Sequence, residues 1–168
     1  MTNTESLTQK IIKSLPQKYN FWHGLAWFAL MNFLTFAWVF TDVEYYNSLN
    51  KIAIAPPSWV FGVVWPLNNI FVIVGNIWTL NLKSSPDRTK LLILQGFSWI
   101  NYIVFSGLSF GTKIPAMFFW PTFTMLILTL ASIYYARKID LKISYTFVTL
   151  IIWLFIATVL GLSVWIQN

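Results

Sequence analysis

Residues 45–65 read YYNSLNKIAIAPPSWVFGVVW, a short polar link that carries the pair Pro56-Pro57 and feeds straight into an aromatic, uncharged run. A link of this kind over the mouth of a membrane helix predicts a ligand pocket with a lid. Its reading depends on the rest of the chain being embedded in a bilayer, and composition supplies that. The 168 residues are 57% hydrophobic and 10% charged, with 10 Trp, 7 Tyr and 15 Phe, a balance that a soluble domain of this size could not keep in solution.

Five apolar runs are each long enough for a hydrocarbon core of about 30 Å, which takes roughly 20 helical residues. They are Phe21 to Phe40, Ser58 to Leu82, Leu91 to Phe110, Met117 to Ala136 and Ser144 to Ile166. A closed barrel would alternate over stretches of about ten residues, and these runs are continuous. The expected fold is an all-α integral membrane protein, a single five-helix transmembrane bundle over residues 21–168 behind a cytoplasmic N-terminal segment, residues 1–20. The first run exceeds the apolar core of a signal peptide and no small-x-small cleavage site follows it, so it reads as a retained helix.

Basic residues give the orientation. Lys10, Lys13, Lys18, Lys83, Arg88, Lys90, Arg137, Lys138 and Lys142 fall on one side of the spans, while the other side has only Lys51 and Lys113. The positive-inside rule then puts the N-terminus in the cytoplasm, the C-terminus outside and the Tyr45 to Pro57 link outside, in a multi-pass protein of a bacterial inner membrane. The formal charge of +6 reflects this basic rim, and no nucleic-acid partner is expected.

Links between the spans are short, so any site lies among the helices. In the second run Phe61, Trp65, Asn69, Val72 and Asn76 recur at spacings of three or four and share a face; the fifth run repeats the arrangement with Trp153, Ala157, Gly161 and Val164. The third contributes Gln95, Trp99, Asn101 and Tyr102. Amides in a bilayer mark either helix contacts or groups that orient a polar ligand. By depth, Trp65 lies about 10 Å below the outer end of its run, and Asn101, Trp153 and Ala157 lie roughly 13 to 20 Å from the outer ends of theirs. A planar apolar ligand between aromatic faces suits such a cavity. Trp22, Trp27, Trp38, Trp59 and Trp165 sit near span ends, where interfacial anchoring accounts for them.

Pro66 removes a backbone hydrogen bond inside the second run and predicts a bend that widens the space beside Trp65. Ala157-x-x-x-Gly161 lets another backbone approach, within the molecule or from a second copy. There is no conventional catalytic constellation: the chain has no cysteine, its one histidine, His23, is near a span end, and Glu5, Asp42, Glu44, Asp87 and Asp140 all lie outside the runs. No metal site and no required cofactor are expected.

The pattern Tyr45-Tyr46-x-x-Leu49-x-Lys51 followed by Pro56-Pro57-x-x-x-Phe61-x-x-x-Trp65 resembles the signature of the TspO/MBR family, the tryptophan-rich sensory or translocator proteins; Gln95, Asn101, Trp153, Ala157-Thr158 and the ending Trp165-Ile166-Gln167-Asn168 extend the similarity from Tyr45 to Asn168. Departures mark a divergent member: Tyr45 stands for a usual Trp, Ile52 and Ile54 for Pro and Trp, Asn69 for an aromatic residue, Thr149-Leu150 for Pro-Tyr and Gly161 for a frequent Asn. The resemblance implies a homodimer and a receptor or sensor that binds a porphyrin or related tetrapyrrole under the first outer link. Carried over by position, the ligand-binding residues are Tyr46, Pro56, Pro57, Phe61, Trp65, Asn101, Trp153 and Ala157, with Asn69 on the same face. Trp65 and Trp153 match the tryptophans implicated in light- and oxygen-dependent porphyrin breakdown, so they are also the catalytic candidates. Receptor, porphyrin-degrading enzyme and transporter of a small hydrophobic compound remain open as readings; sterol binding is not supported, because the cholesterol-recognition pattern is missing from the end of the last run.

Overall fold

The computed structural model describes residues 18–39, 43–53 and 55–168. Its elements in chain order are α1 (Phe21–Val39), the short α2 (Val43–Ser48), α3 (Ser58–Asn81), α4 (Pro86–Ser106), α5 (Trp120–Ile139), the short α6 (Leu141–Tyr145) and α7 (Val148–Gln167). A π turn, Gly107–Gly111, prolongs α4, and a 3-10 turn, Pro115–Phe118, leads into α5. The described residues contain no strand.

Four segments are long and apolar enough to cross a membrane: Ser58–Asn81, Pro86–Gly111, Pro115–Ile139 and Leu141–Gln167. The expected fifth, α1, is a helix of 19 residues but is not among them. His23, Asn32 and the tryptophans at 22, 27 and 38 dilute its apolar content. The expected N-terminal segment, 1–20, falls outside the described residues up to position 17.

Each boundary has a local cause. α4 begins at Pro86, five residues before the expected Leu91, because Ser85 Oγ accepts from the Arg88 amide at 3.2 Å, Pro86 takes the first helical position and Asp87 sits in the first turn. Arg88 also closes the preceding helix: its Nε and one terminal nitrogen donate to the Thr79 and Leu80 carbonyls at 2.9 and 3.0 Å, satisfying groups left open at the end of α3. Asp140 Oδ1 accepts from the Lys142 amide at 2.8 Å and starts α6, after which a turn at 146–147 separates α6 from α7.

Short links make successive long helices run in opposite directions. One end of the bundle therefore gathers the close of α1, the link containing α2, the start of α3, the close of α4, the start of α5 and the close of α7; this is the lid end. The other, basic end carries Lys83, Arg88, Lys90, Arg137, Lys138 and Lys142. There the Tyr19 amide donates to Asn81 Oδ1 at 3.0 Å and Asn81 Nδ2 returns a bond to the Tyr19 carbonyl at 2.7 Å, fastening the start of α1 to the finish of α3.

Leu91, Ile143, Phe147 and Leu154 are fully buried in the main core. The hydroxyls of Thr79, Thr129 and Ser132 are buried too, and each donates to the carbonyl four residues back at 2.8 Å, so these three are satisfied within their own helices. Gly161 answers one question left by the sequence: a Cβ there would overlap the Phe118 carbonyl and come within 2.9 Å of the Phe119 Cα. The small residue serves contact between α7 and the 3-10 turn of the same molecule.

Candidate functional site

The lid end encloses a cavity of about 350 Å³ bordered by α1, α2, α3, the end of α4, the start of α5 and α7. Tyr46, Phe61, Trp65 and Ala157, four of the nine ligand-binding candidates, line it, together with Thr35, Ser58, Trp59, Gly62, Pro66, Tyr102, Phe105, Ser106, Phe110 and Phe118. The lining is overwhelmingly aromatic and aliphatic, which favours an apolar ligand with large flat faces.

The remaining candidates are placed elsewhere. Trp153 stands behind the wall, its ring 5.3 Å from Phe61 and 6.2 Å from Trp65, the latter nearly perpendicular at 88°. Asn69 lies deeper and is buried; its Nδ2 donates to the Tyr102 hydroxyl at 3.0 Å and to Asn32 Oδ1 at 3.4 Å, joining α3 to α4 and α1. Asn101 donates to the Pro121 carbonyl at 2.8 Å, so its amide ties α4 to the first turn of α5. Pro57 is the N-cap of α3, with its carbonyl accepting from the Val60 amide at 3.0 Å, and neither it nor Pro56 lines the cavity. Pro66 is inside a helix that continues unbroken on both sides, and it does border the cavity.

Ring contacts extend well beyond the cavity. Tyr46 meets Phe61 at 5.4 Å, Phe61 meets Trp153 at 5.3 Å, Trp153 meets Trp65 at 6.2 Å and Trp65 meets Tyr102 at 5.4 Å. Tyr102 meets Trp99 at 5.9 Å, and Trp99 meets Trp27 at 6.0 Å. The succession runs from the lid toward the basic end. Trp27, expected only as an interfacial anchor, is its last member.

The link is held shut by several independent bonds. The Lys51 ammonium donates to the Tyr46 carbonyl at 2.5 Å and the Leu49 carbonyl at 2.7 Å, closing the C-terminal end of α2, and lies 4.6 Å from the Tyr46 ring centre. Burial lowers the Lys51 pKa, and burial pushes the Tyr46 phenol up to about 12. The Tyr46 phenol is therefore neutral at neutral pH. On the far side, the Asn50 amide donates to Asn168 Oδ1 at 2.9 Å while Asn168 Nδ2 donates to the Asn50 carbonyl at 3.0 Å, and the Ile52 amide donates to Ser163 Oγ at 3.2 Å. The link is thereby latched to the end of α7. The Asn50–Asn168 pair has no signal in the spacing of the sequence, since its members are 118 positions apart.

Tyr46 Oη, Trp153 Nε1 and Thr158 Oγ1 are buried without a hydrogen-bond partner among the described residues. No group of three or more His, Cys, Asp or Glu side chains that could hold a metal ion occurs among the described residues. The arrangement offers aromatic surface, a few unsatisfied neutral donors and no acid–base pair.

Comparison with known proteins accords with this geometry. No curated protein matches the chain at a significant level. The family model described as the TspO/MBR family matches residues 24–166, which takes in most of α1, the latched link and nearly all of α7. The chain is therefore a membrane protein of the TspO/MBR family.

Proposed function

We propose that this protein is a membrane receptor or sensor that takes a porphyrin or related tetrapyrrole into the lid-end cavity, with the link between α1 and α3 as its lid. The observation that carries the reading is a cavity walled by Tyr46, Phe61 and Trp65 and closed by a link latched to the end of α7. In this reading α1 is a fifth span: 19 residues at 1.5 Å each give about 28 Å, close to the thickness of the hydrocarbon core. The asymmetry of Lys and Arg supports a cytoplasmic basic end and an outward lid, and an inner bacterial membrane suits that bias. A homodimer is part of the proposal by family membership.

The cavity volume of about 350 Å³ is near the lower end of the roughly 300–1,000 Å³ found for small-molecule sites. A ligand as broad as a porphyrin then requires the lid to lift, so the closed arrangement is the ligand-free state of the sensor. The test is a dark titration of the purified full chain with protoporphyrin IX, followed by the shift of the porphyrin absorption band. Gly62 lines the cavity and a Cβ there meets nothing within 4 Å, so Gly62→Phe is the substitution chosen to occupy the site. Saturation near one porphyrin per subunit, weakened at least tenfold by Gly62→Phe, is expected; a linear, variant-independent shift means partition into detergent and defeats the reading.

A second reading, light- and oxygen-dependent breakdown of the bound porphyrin, is favoured by the Trp65–Trp153 pair, whose rings touch beside the cavity. Illumination of the complex distinguishes it. Products that vanish in Trp65→Phe or Trp153→Phe while binding persists would make the protein an enzyme.

A further inference from the structure

Among the described residues, seven Lys and Arg side chains gather at the basic end against only two carboxylates, Asp87 and Asp140. Some of these groups are already engaged: Arg88 closes α3 through the Thr79 and Leu80 carbonyls, and Asp140 holds the Lys142 amide. Lys90 and Lys138 are placed differently. They come from two helices, near the start of α4 and in the last turn of α5, and converge on one aromatic ring. Lys90 Nζ lies 5.4 Å and Lys138 Nζ 5.7 Å from the centre of the Tyr135 ring, and Lys138 Nζ is 4.3 Å from that of Tyr134. The rings attract each ammonium group, but two like charges drawn to one ring repel each other, and an anion that reaches both is held by both. A single carboxylate, Asp87, acts on Lys138, so the pair keeps a positive excess.

Each lysine also heads an exposed apolar row. From Lys138 the row runs along α5 through Tyr134, Leu130, Ile127 and Phe123; from Lys90 it runs along α4 through Ile93, Phe97, Ile100 and Val104, both at helical spacings of three and four. The two helices pack side by side and are joined by the bond from Gln95 Nε2 to Ser132 Oγ at 2.8 Å. Both rows belong to segments long and apolar enough to cross a membrane, so acyl chains cover them, and the lysine at the end of each stands at the level of the lipid headgroups. A second cavity, of about 470 Å³, opens at the same end between α1, α3 and α4, but neither row lines it.

We propose that the paired ends of α4 and α5 form a binding site for one anionic diacyl phospholipid of the surrounding leaflet, with its phosphate held by Lys90 and Lys138 and its acyl chains along the two rows. A zwitterionic lipid carries its own cation beside the phosphate, which competes with the lysines, and is held less well. A soluble anion has no chains to lay on the rows. The site is separate from the lid-end cavity and does not depend on what that cavity binds.

The test is a titration of the purified full chain in detergent with dioleoyl phosphatidylglycerol or dioleoyl phosphatidylcholine, the retained lipids being counted by native mass spectrometry. Expected is one phosphatidylglycerol per subunit, held at least tenfold more tightly than phosphatidylcholine. That preference should be lost in the double variant Lys90→Gln with Lys138→Gln and kept in Lys83→Gln with Lys142→Gln, which removes the same charge from the same end. All four lysines are exposed, so the unfolding temperature of each double variant should match that of the parent. Equal loss in the two double variants would mean diffuse attraction to a basic rim only and overturn the proposal, as would equal retention of the two lipids by the parent. Displacement of the lipid by inorganic phosphate would make the ligand a soluble anion instead. A parent dimer that retains no phosphatidylglycerol would assign the rows to a second copy of the protein. Porphyrin binding is read separately through the absorption titration, so failure of one site leaves the other standing.

Discussion

The two cavities of this bundle share the helices α1, α3 and α4, yet they are bounded differently. At the lid end the space is covered by chain: Lys51 closes α2, and the Asn168 side chain exchanges two bonds with the Asn50 backbone, so the covering segment is tied to the end of α7. At the basic end no segment of the described residues covers the groove between α1, α3 and α4, and Asn76, Gln95 and Trp99 beside it each keep a buried polar atom without a partner among the described residues. One cavity is closed by chain; the other is open along its flank. Aromatic surface without much polar guidance, as at the lid end, tolerates a range of flat ligands.

The contrast breaks most readily at Gly161. Its replacement by Leu would force the α7 backbone away from Phe118, and overpacking of this kind costs about 1–3 kcal/mol. Thermal unfolding in detergent should fall accordingly, with porphyrin binding lost and phosphatidylglycerol binding retained in the folded fraction; equal damage to both would show that the two ends are not independent. Next in size is Ser132→Ala, which strips Gln95 Nε2 of its partner and should destabilise by about 1–3 kcal/mol. The double variant Ser132→Ala with Gln95→Leu should recover much of that stability. If the double variant is no more stable than the single one, the buried amide is not the source of the loss.

The latch gives a smaller, kinetic effect. Asn168→Ala removes both side-chain bonds to Asn50, and stopped-flow mixing with protoporphyrin IX should then show several-fold faster association and tighter binding, because the closed, ligand-free lid no longer has to open against the latch. An unchanged rate would mean that the ligand enters from the flank. The smallest effect is that of pH. Tyr46 has its pKa raised from 10.0 to about 12, so its stabilisation of the closed lid is complete below pH 10 and is lost as pH rises toward 12. Lys51, whose pKa is lowered, has the opposite sign, since its charge is disfavoured in the closed lid. Porphyrin association should therefore accelerate above pH 10, and that acceleration should disappear in Tyr46→Phe.

Much of this architecture is legible in the residues. Uninterrupted apolar runs reveal α3, α4, α5 and α7, and the residues 45–65 give both the lid and the mouth of α3. The early start of α4 is also written in the chain, as Ser85-Pro86-Asp87, but a reading by hydropathy alone passes over it because Asp87, Arg88 and Lys90 are charged. Helical spacing puts Phe61, Trp65 and Asn69 on one face, but it says nothing of which members of that face meet a cavity and which meet a neighbouring helix. Asn69 and Asn101 turn out to bind Tyr102 and Pro121. Gln95 was visible as an intramembrane amide, whereas its half-satisfied state depends on Ser132, 37 positions away, and no local pattern encodes that.

The aromatic succession from Tyr46 to Trp27 has an optical consequence. Its neighbouring ring centres are all 5.3 to 6.2 Å apart, so light energy absorbed by one indole passes to the next before it is emitted. Intrinsic fluorescence is then a collective property of the bundle: a quencher near the lid dims Trp27, and one at the basic end dims Trp153. Such emission records that the protein is occupied without recording where, and the address of a ligand has to be read from the substitution that shuts it out.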